Sequence, residues 1–166
     1  MQVIGTQVFL AHRTPDADNI YLRYFNGSWS LFSGMGAPAN SAHLAMGING
    51  SSVFIFHRDP TQSNNGILKE YNGTWSTASP INGSYTTEPS MVFYNNIPYT
   101  TFQLSTAGAV TLRKFETGTW NNVIESGFSD GNAYTPTIRL YGNTAYISYK
   151  DVANSGGASV MVFELP

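Results

Sequence analysis

The sequence predicts an all-β protein, a β-propeller of four-stranded antiparallel blades with about four blades in the chain, and three observations carry that prediction. The first is a recurring hairpin followed by tryptophan: Phe25-Asn26-Gly27-Ser28-Trp29, Tyr71-Asn72-Gly73-Thr74-Trp75 and, loosened by one residue, Phe115-Glu116-Thr117-Gly118-Thr119-Trp120. Trp75 follows Trp29 by 46 residues and Trp120 follows Trp75 by 45. A unit of about 40 to 50 residues that carries four strands is the periodicity of propeller blades. The second is a run that aligns four times without gaps: Val8-Phe9-Leu10-Ala11-His12-Arg13-Thr14, Val53-Phe54-Ile55-Phe56-His57-Arg58-Asp59, Pro98-Tyr99-Thr100-Thr101-Phe102-Gln103-Leu104 and Ala145-Tyr146-Ile147-Ser148-Tyr149-Lys150-Asp151. Each copy is apolar or small on both alternating faces, as suits a strand sandwiched between neighbouring sheets. The third is composition: 14% aromatic residues, 16 Gly and many Ser, Thr and Asn, the mixture of short strands and tight turns.

Each blade is then read in order. The first strands run from Met1 to Ile4, Leu44 to Ile48, Ser90 to Tyr94 and Thr137 to Tyr141, lining a central channel. Tight links (Gly5-Thr6, Asn49-Gly50-Ser51, Asn95-Asn96, Gly142-Asn143) lead into the second strands, which are the four aligned runs. The third strands lie near Ile20 to Phe25, Ile67 to Tyr71, Val110 to Phe115 and Ser159 to Phe163, and three Trp-bearing fourth strands form the rim. The Asn-Gly pairs of the first two hairpins are expected to form type I′ turns, in which both central residues have positive φ. The repeats span approximately residues 1–33, 34–79, 80–125 and 126–166 of a single domain, giving fifteen strands and a last blade without its outer strand. Two bare apolar flanks would follow, so closure or self-association is expected.

Charge and cysteine usage exclude several classes. Only 11% of residues are charged and the net charge is −2, which gives no electrostatic case for nucleic acid or an anionic membrane surface. Without Cys there are no disulfides, thiolate metal sites or cysteine nucleophile. No apolar run is long enough for a bilayer, so no membrane insertion is expected, and Met1 to Thr6 does not read as a signal peptide. An extracellular or cell-surface location is expected, with any signal outside this sequence.

The candidate chemistry lies on one face. Links between first and second and between third and fourth strands are minimal, whereas the second-to-third links (13–19, 58–66, 103–108, 150–157) and the blade-to-blade links (33–41, 79–88, 125–135) are long and polar. In an up-and-down blade both long sets emerge on the same side, and loops on a rigid scaffold commonly carry function. At the second-strand ends stand His12-Arg13, His57-Arg58, Phe102-Gln103 and Tyr149-Lys150. A cation beside a ring suits hydroxylated or anionic ligands, while the structural reading has the ring packing between blades and the cation in solvent. Asp59 and Asp151 share the next column; they offer oxygens to a hard cation, though an Asp turning its own backbone is the simpler reading and no metal is assigned. Tyr85 and Tyr134, within Ser84-Tyr85-Thr86-Thr87-Glu88 and Ser129-Asp130-Gly131-Asn132-Ala133-Tyr134, are pocket candidates, against ordinary loop packing. The tryptophans read as inter-blade packing. Neither a Gly-x-Ser-x-Gly elbow nor His-Glu-x-x-His is present, and nothing pairs two of Asp59, Glu88, Glu125 and Asp130 for acid-base work. No catalytic residue and no cofactor is assigned.

The segment from Trp120 to Ala133, continued by Ala145 to Asp151 and Ala158 to Phe163, resembles a tandem repeat of secreted bacterial β-propeller proteins. The earlier repeats resemble lectin-type and sialidase-like blades through His-Arg on the second strand and Phe/Tyr-Asn-Gly-Ser/Thr-Trp at the hairpin. That hairpin is similar to a degenerate sialidase Asp-box in which only Gly-Ser/Thr-Trp remains. The sialidase arginine triad, acid/base Asp and Tyr-Glu pair cannot be placed residue by residue on this sequence, so the resemblance implies a binding propeller rather than a sialidase. The expected function is a non-enzymatic, lectin-like module whose partner is a glycan or other small polar ligand. A structural propeller fragment, natural or engineered, that completes a ring as a homo-oligomer is the second reading, and a sialidase-like glycoside hydrolase fragment the third.

Overall fold

The computed structural model describes residues 1–13, 19–38, 43–78, 80–104, 108–124 and 127–166. Fifteen strands form among them, in four successive groups. The first group is β1 (Gln2–Ile4), β2 (Gln7–Arg13), β3 (Asn19–Phe25) and β4 (Trp29–Pro38); the second is β5 (Leu44–Asn49), β6 (Ser52–Asp59), β7 (Asn65–Tyr71) and β8 (Trp75–Thr77). The third is β9 (Ile81–Tyr94), β10 (Ile97–Leu104), β11 (Val110–Glu116) and β12 (Thr119–Asn122), and the fourth is β13 (Ala133–Tyr141), β14 (Thr144–Asp151) and β15 (Gly157–Glu164). All pairings are antiparallel and sequential strands are neighbours, so each group is an up-and-down blade.

Three expectations change. The stretch 33–41, read as a loop, is strand as far as Pro38, the end of β4. The stretch 79–88, also read as a loop, is largely strand: β9 is 14 residues long. Its first part pairs with β7 (Gly66↔Ile81, Asn65↔Tyr85) and its last part with β10 (Ile97↔Tyr94 to Leu104↔Thr86). A backbone that must cross from one blade to the next keeps its N–H and C=O groups bonded by serving both sheets in turn. The Asn-Gly turns are also not type I′. Phe25 pairs with Trp29 and Tyr71 with Trp75, leaving three-residue loops in which only Gly27 (φ 108) and Gly73 (φ 111) are left-handed. The loosened third copy is the one with two central residues of positive φ, Thr117 (52) and Gly118 (80), between paired Glu116 and Thr119.

Strand alternation gives every blade a front, turned to the preceding blade, and a rear, turned to the next. Phe9 and Leu22 on the rear of blade 1 meet Met46, Val53 and Ile55 on the front of blade 2. Phe56, Leu68 and Ile81 meet Met91 and Phe102 across the next interface, and Tyr99, Val110 and Leu112 meet Ala133, Ile138 and Ile147 across the third. The core is thus three stacked layers. The first strands share an axis: a channel of about 550 Å³ is lined by Gln2, Gly47, Met91, Phe93 and Arg139, drawn from all four.

Trp75 and Trp120 pack into these layers, Trp120 edge-on to Phe56 at 5.4 Å and tilted against Phe115 at 5.2 Å. Trp29, on the front of blade 1, is 50% exposed. The rear of blade 4 is likewise uncovered among the described residues, with Tyr141, Val160 and Val162 exposed.

Candidate functional site

The second-strand column occurs as four equivalent positions. Arg13, Arg58, Gln103 and Lys150 pair across their strands with Ile20, Gly66, Val110 and Ala158, which puts them on the rear faces at the long-loop end. Arg13 and Lys150 are exposed, Arg58 and Gln103 half-buried. Gln103 donates through Nε2 to the Gly108 carbonyl at 3.1 Å, holding the base of its own loop.

The preceding ring of each pair points the other way, because successive strand residues alternate faces. His12 therefore lies on the open front of blade 1, where its Nε2 accepts from Arg23 Nε at 3.1 Å and its ring stacks on Tyr21 at 6.1 Å. His57 is 0% exposed, between blades 1 and 2. Its Nδ1 is 3.0 Å from the Arg58 carbonyl and so carries the proton, leaving Nε2 buried without a partner. Burial, reinforced by nearby Lys69, holds its pKa below the ordinary value. Tyr149 is also buried, edge-on to Phe128 at 6.0 Å, and burial pushes its phenol up. His57 and the Tyr149 ring thus lie in the core, while Tyr149 also lines a cleft on blade 4.

The two aspartates turn their own backbone. Asp59 Oδ1 accepts from Thr61 N (2.8 Å) and Thr61 Oγ1 (2.6 Å), capping the short 3-10 turn Pro60–Gln62. Asp151 accepts from Ala153 N, Asn154 N and Ser159 Oγ. Both are buried. Among the described residues no three His, Asp or Glu side chains gather closely enough to hold a metal ion. Glu88 accepts from the Thr135 backbone N–H rather than facing another carboxylate. Glu125 and Thr14 lie outside the described residues, as does most of the 13–19 loop; for Tyr85 only the backbone pairing is described.

What the structure does bring together is Tyr134 and Lys150, cross-strand partners on the open rear of blade 4 and both exposed. Beside them a cleft of about 290 Å³ is lined by Thr135, Ser148, Lys150, Gly156, Gly157 and Ala158. Hydroxyls, an ammonium and a glycine-rich wall converge there, and left-handed Ser155 (φ 53) and Gly156 (φ 77) fold the loop that carries the wall.

A second column was not anticipated. Arg23, Lys69 and Arg113 occupy equivalent third-strand positions, facing Leu10, Ile55 and Thr100 on the fronts of blades 1 to 3. Arg113 places its guanidinium 5.9 Å from the Phe102 ring centroid, and burial lowers the pKa of both Lys69 and Arg113. A cation at the same position of each of the first three third strands, Arg23, Lys69 and Arg113, spaced 46 and 44 residues apart, was the available signal.

No family model matches the sequence, and no curated protein matches it. Solved structures do match, at identities that establish the fold alone. The fungal Aleuria aurantia lectin, a six-bladed β-propeller with fucose recognition, aligns with a TM-score of 0.61 at 12% identity, over 96% of this chain and 56% of that one. A fucose lectin from Kordia zhangzhouensis in complex with methyl-fucoside aligns with a TM-score of 0.57 at 8% identity, over 72% of this chain and 91% of that one. The α-L-arabinanase of Penicillium chrysogenum, complexed with arabinobiose, aligns with a TM-score of 0.62 at 11% identity, over 94% and 57% respectively. The chain thus spans under three-fifths of the lectin from Aleuria and of the arabinanase. The fold is a β-propeller, similar to both sugar-binding and sugar-cleaving proteins.

Proposed function

We propose that this chain is a non-enzymatic, carbohydrate-binding propeller module that takes glycans at the long-loop ends of its blades. The observation that carries this reading is the blade 4 cleft: Lys150 donates, the Thr135 and Ser148 hydroxyls both donate and accept, and Tyr134 stands beside Lys150 with an exposed ring. A neutral sugar needs that combination, a few polar groups fixed in direction and an apolar surface for its C–H face. Arg13, Arg58 and Gln103 repeat the polar position at the other blades, so weak sites can add through multivalency. The likeness to fucose-binding lectins supports the reading. The test is a glycan array with the chain and with its Lys150→Ala and Tyr134→Ala variants: binding that neither variant weakens would remove the site.

The two uncovered faces favour a second role in the same molecule. Val8, Leu10 and Trp29 on the front of blade 1 are the equivalents of Val53, Ile55 and Trp75, which pack on a neighbouring blade. Tyr146 and Val160 on the rear of blade 4 are the equivalents of Tyr99 and Leu112. Covering such faces between copies would complete a ring or extend an array, and light scattering across a concentration series distinguishes that from a chain that stays single.

A further inference from the structure

The rims of blades 2 and 3 enclose a cleft of about 310 Å³ lined by Phe54, Leu68, Glu70, Ser76, Ala78 and Phe115, with Thr77 and the Gly118 turn closing its edges. It lies at the short-turn end, away from the long loops, since Gly118 belongs to the β11-β12 hairpin and Phe54 follows the β5-β6 turn. Its rings are held from behind: Phe54 against Phe93 at 4.9 Å and Phe115 against Trp120 at 5.2 Å.

Glu70 is half-buried in this cleft, cross-strand from Phe54, and among the described residues its carboxylate has neither a hydrogen bond nor an ion pair. The surrounding cations are directed elsewhere. Lys69, next in sequence, faces the opposite side of β7 toward blade 1 and Asp59. Lys114 is on the opposite side of β11 from Phe115, paired with Glu116 at 2.6 Å. Arg113 faces blade 2 but lies over the Phe102 ring. A carboxylate that shares a cleft with two phenyl rings attracts a positive charge with an apolar surface.

We propose that this rim cleft is a binding site for a small organic cation of the substituted-ammonium class, with Glu70 as counter-ion, Phe54 and Phe115 as aromatic walls, and Ser76, cross-strand from Glu70, as hydrogen-bond partner for a polar tail. Ring quadrupoles attract a cation, and Glu70 adds an opposite charge within the same cleft. The site is independent of the long-loop clefts proposed for glycans.

The test is a titration of choline, and of its neutral isostere 3,3-dimethylbutan-1-ol, into 15N-labelled chain, followed through the amide signals of Thr77, Ala78 and Gly118. Choline is expected to shift those signals and to bind about ten-fold or more tightly than the isostere. Glu70→Gln, which keeps shape and removes charge, is expected to weaken choline by a similar factor and leave the isostere unchanged, and Phe115→Leu to weaken choline in a chain whose remaining spectrum is native. Equal binding of choline and isostere would overturn the proposal in favour of a plain apolar recess. Choline shifts confined to other regions, or none up to millimolar concentration, would overturn it outright.

Discussion

Gly47 of β5 and Phe93 of β9 meet so closely at the channel that a Cβ built on Gly47 would lie 2.7 Å from Phe93 Cε2. Met91 Cε would be 3.2 Å away, so the ring cannot yield freely toward it. Gly47 does not have the positive φ that usually explains a glycine; close approach of two blades does. Gly47→Ala is expected to cost about 1–3 kcal/mol by forcing Phe93 out of its place against Phe54. Urea unfolding of the variant checks this, and Phe93→Leu in the same background should recover part of the loss.

His57 gives the fold a pH dependence with a definite sign. Its folded pKa lies below the ordinary 6.5 because burial disfavours the imidazolium. Below pH 6.5 the unfolded chain takes up a proton that the folded chain refuses, so stability is full above that pH and is lost as pH falls toward the folded value, with a slope of up to about 1.4 kcal/mol per pH unit. The same column holds Phe102 and Tyr149 in blades 3 and 4, so His57→Phe should be accepted sterically and flatten the curve. Unfolding midpoints between pH 5 and 8 for both proteins test this; equal slopes would contradict it.

The tryptophans should separate by position although each follows a glycine turn on the fourth strand of its blade. Trp120 packs between Phe56 and Phe115, whereas Trp29 is half exposed on an open face. Trp120→Ala is expected to cost about 3 kcal/mol and Trp29→Ala about 1 kcal/mol or less in dilute solution. If the blade 1 front is covered by another copy, the Trp29 variant will instead lower the measured mass in light scattering.

Asp151 and Asp59 differ in how much backbone they hold. Asp151→Ala removes bonds from two backbone N–H groups and the Ser159 hydroxyl, and should cost about 2 kcal/mol. Asp59→Ala removes the cap on Thr61 and should cost about 1 kcal/mol. Calcium should stabilise neither the wild-type chain nor the variants in a thermal melt, since among the described residues neither aspartate stands in a cluster of three potential ligands.

The blade plan was legible because alternation and turn residues are local properties, and fourfold repetition averages out their noise. The long β9 was not: whether 81–88 pairs depends on β7 and β10 lying within reach on either side, which no residue in the segment encodes. Likewise the sequence assigns Arg58 and His57 to opposite faces but not the depth of each face, so the ring that reads as a ligand contact is core. Glu70 was overlooked for the same reason. It looks like an ordinary charge on a third strand until Phe115 of the next blade is found lining the same cleft.

The carbohydrate-binding reading is tested most directly by a glycan array probed with the wild-type chain beside the Lys150→Ala variant, both confirmed as folded by circular dichroism. The account predicts a restricted set of glycans bound by the wild type, with signal reduced about ten-fold in the variant through loss of a charge-assisted hydrogen bond. A wild-type chain that binds no glycan, even when presented multivalently on beads, would contradict it and leave the uncovered blade faces as the feature that defines the molecule.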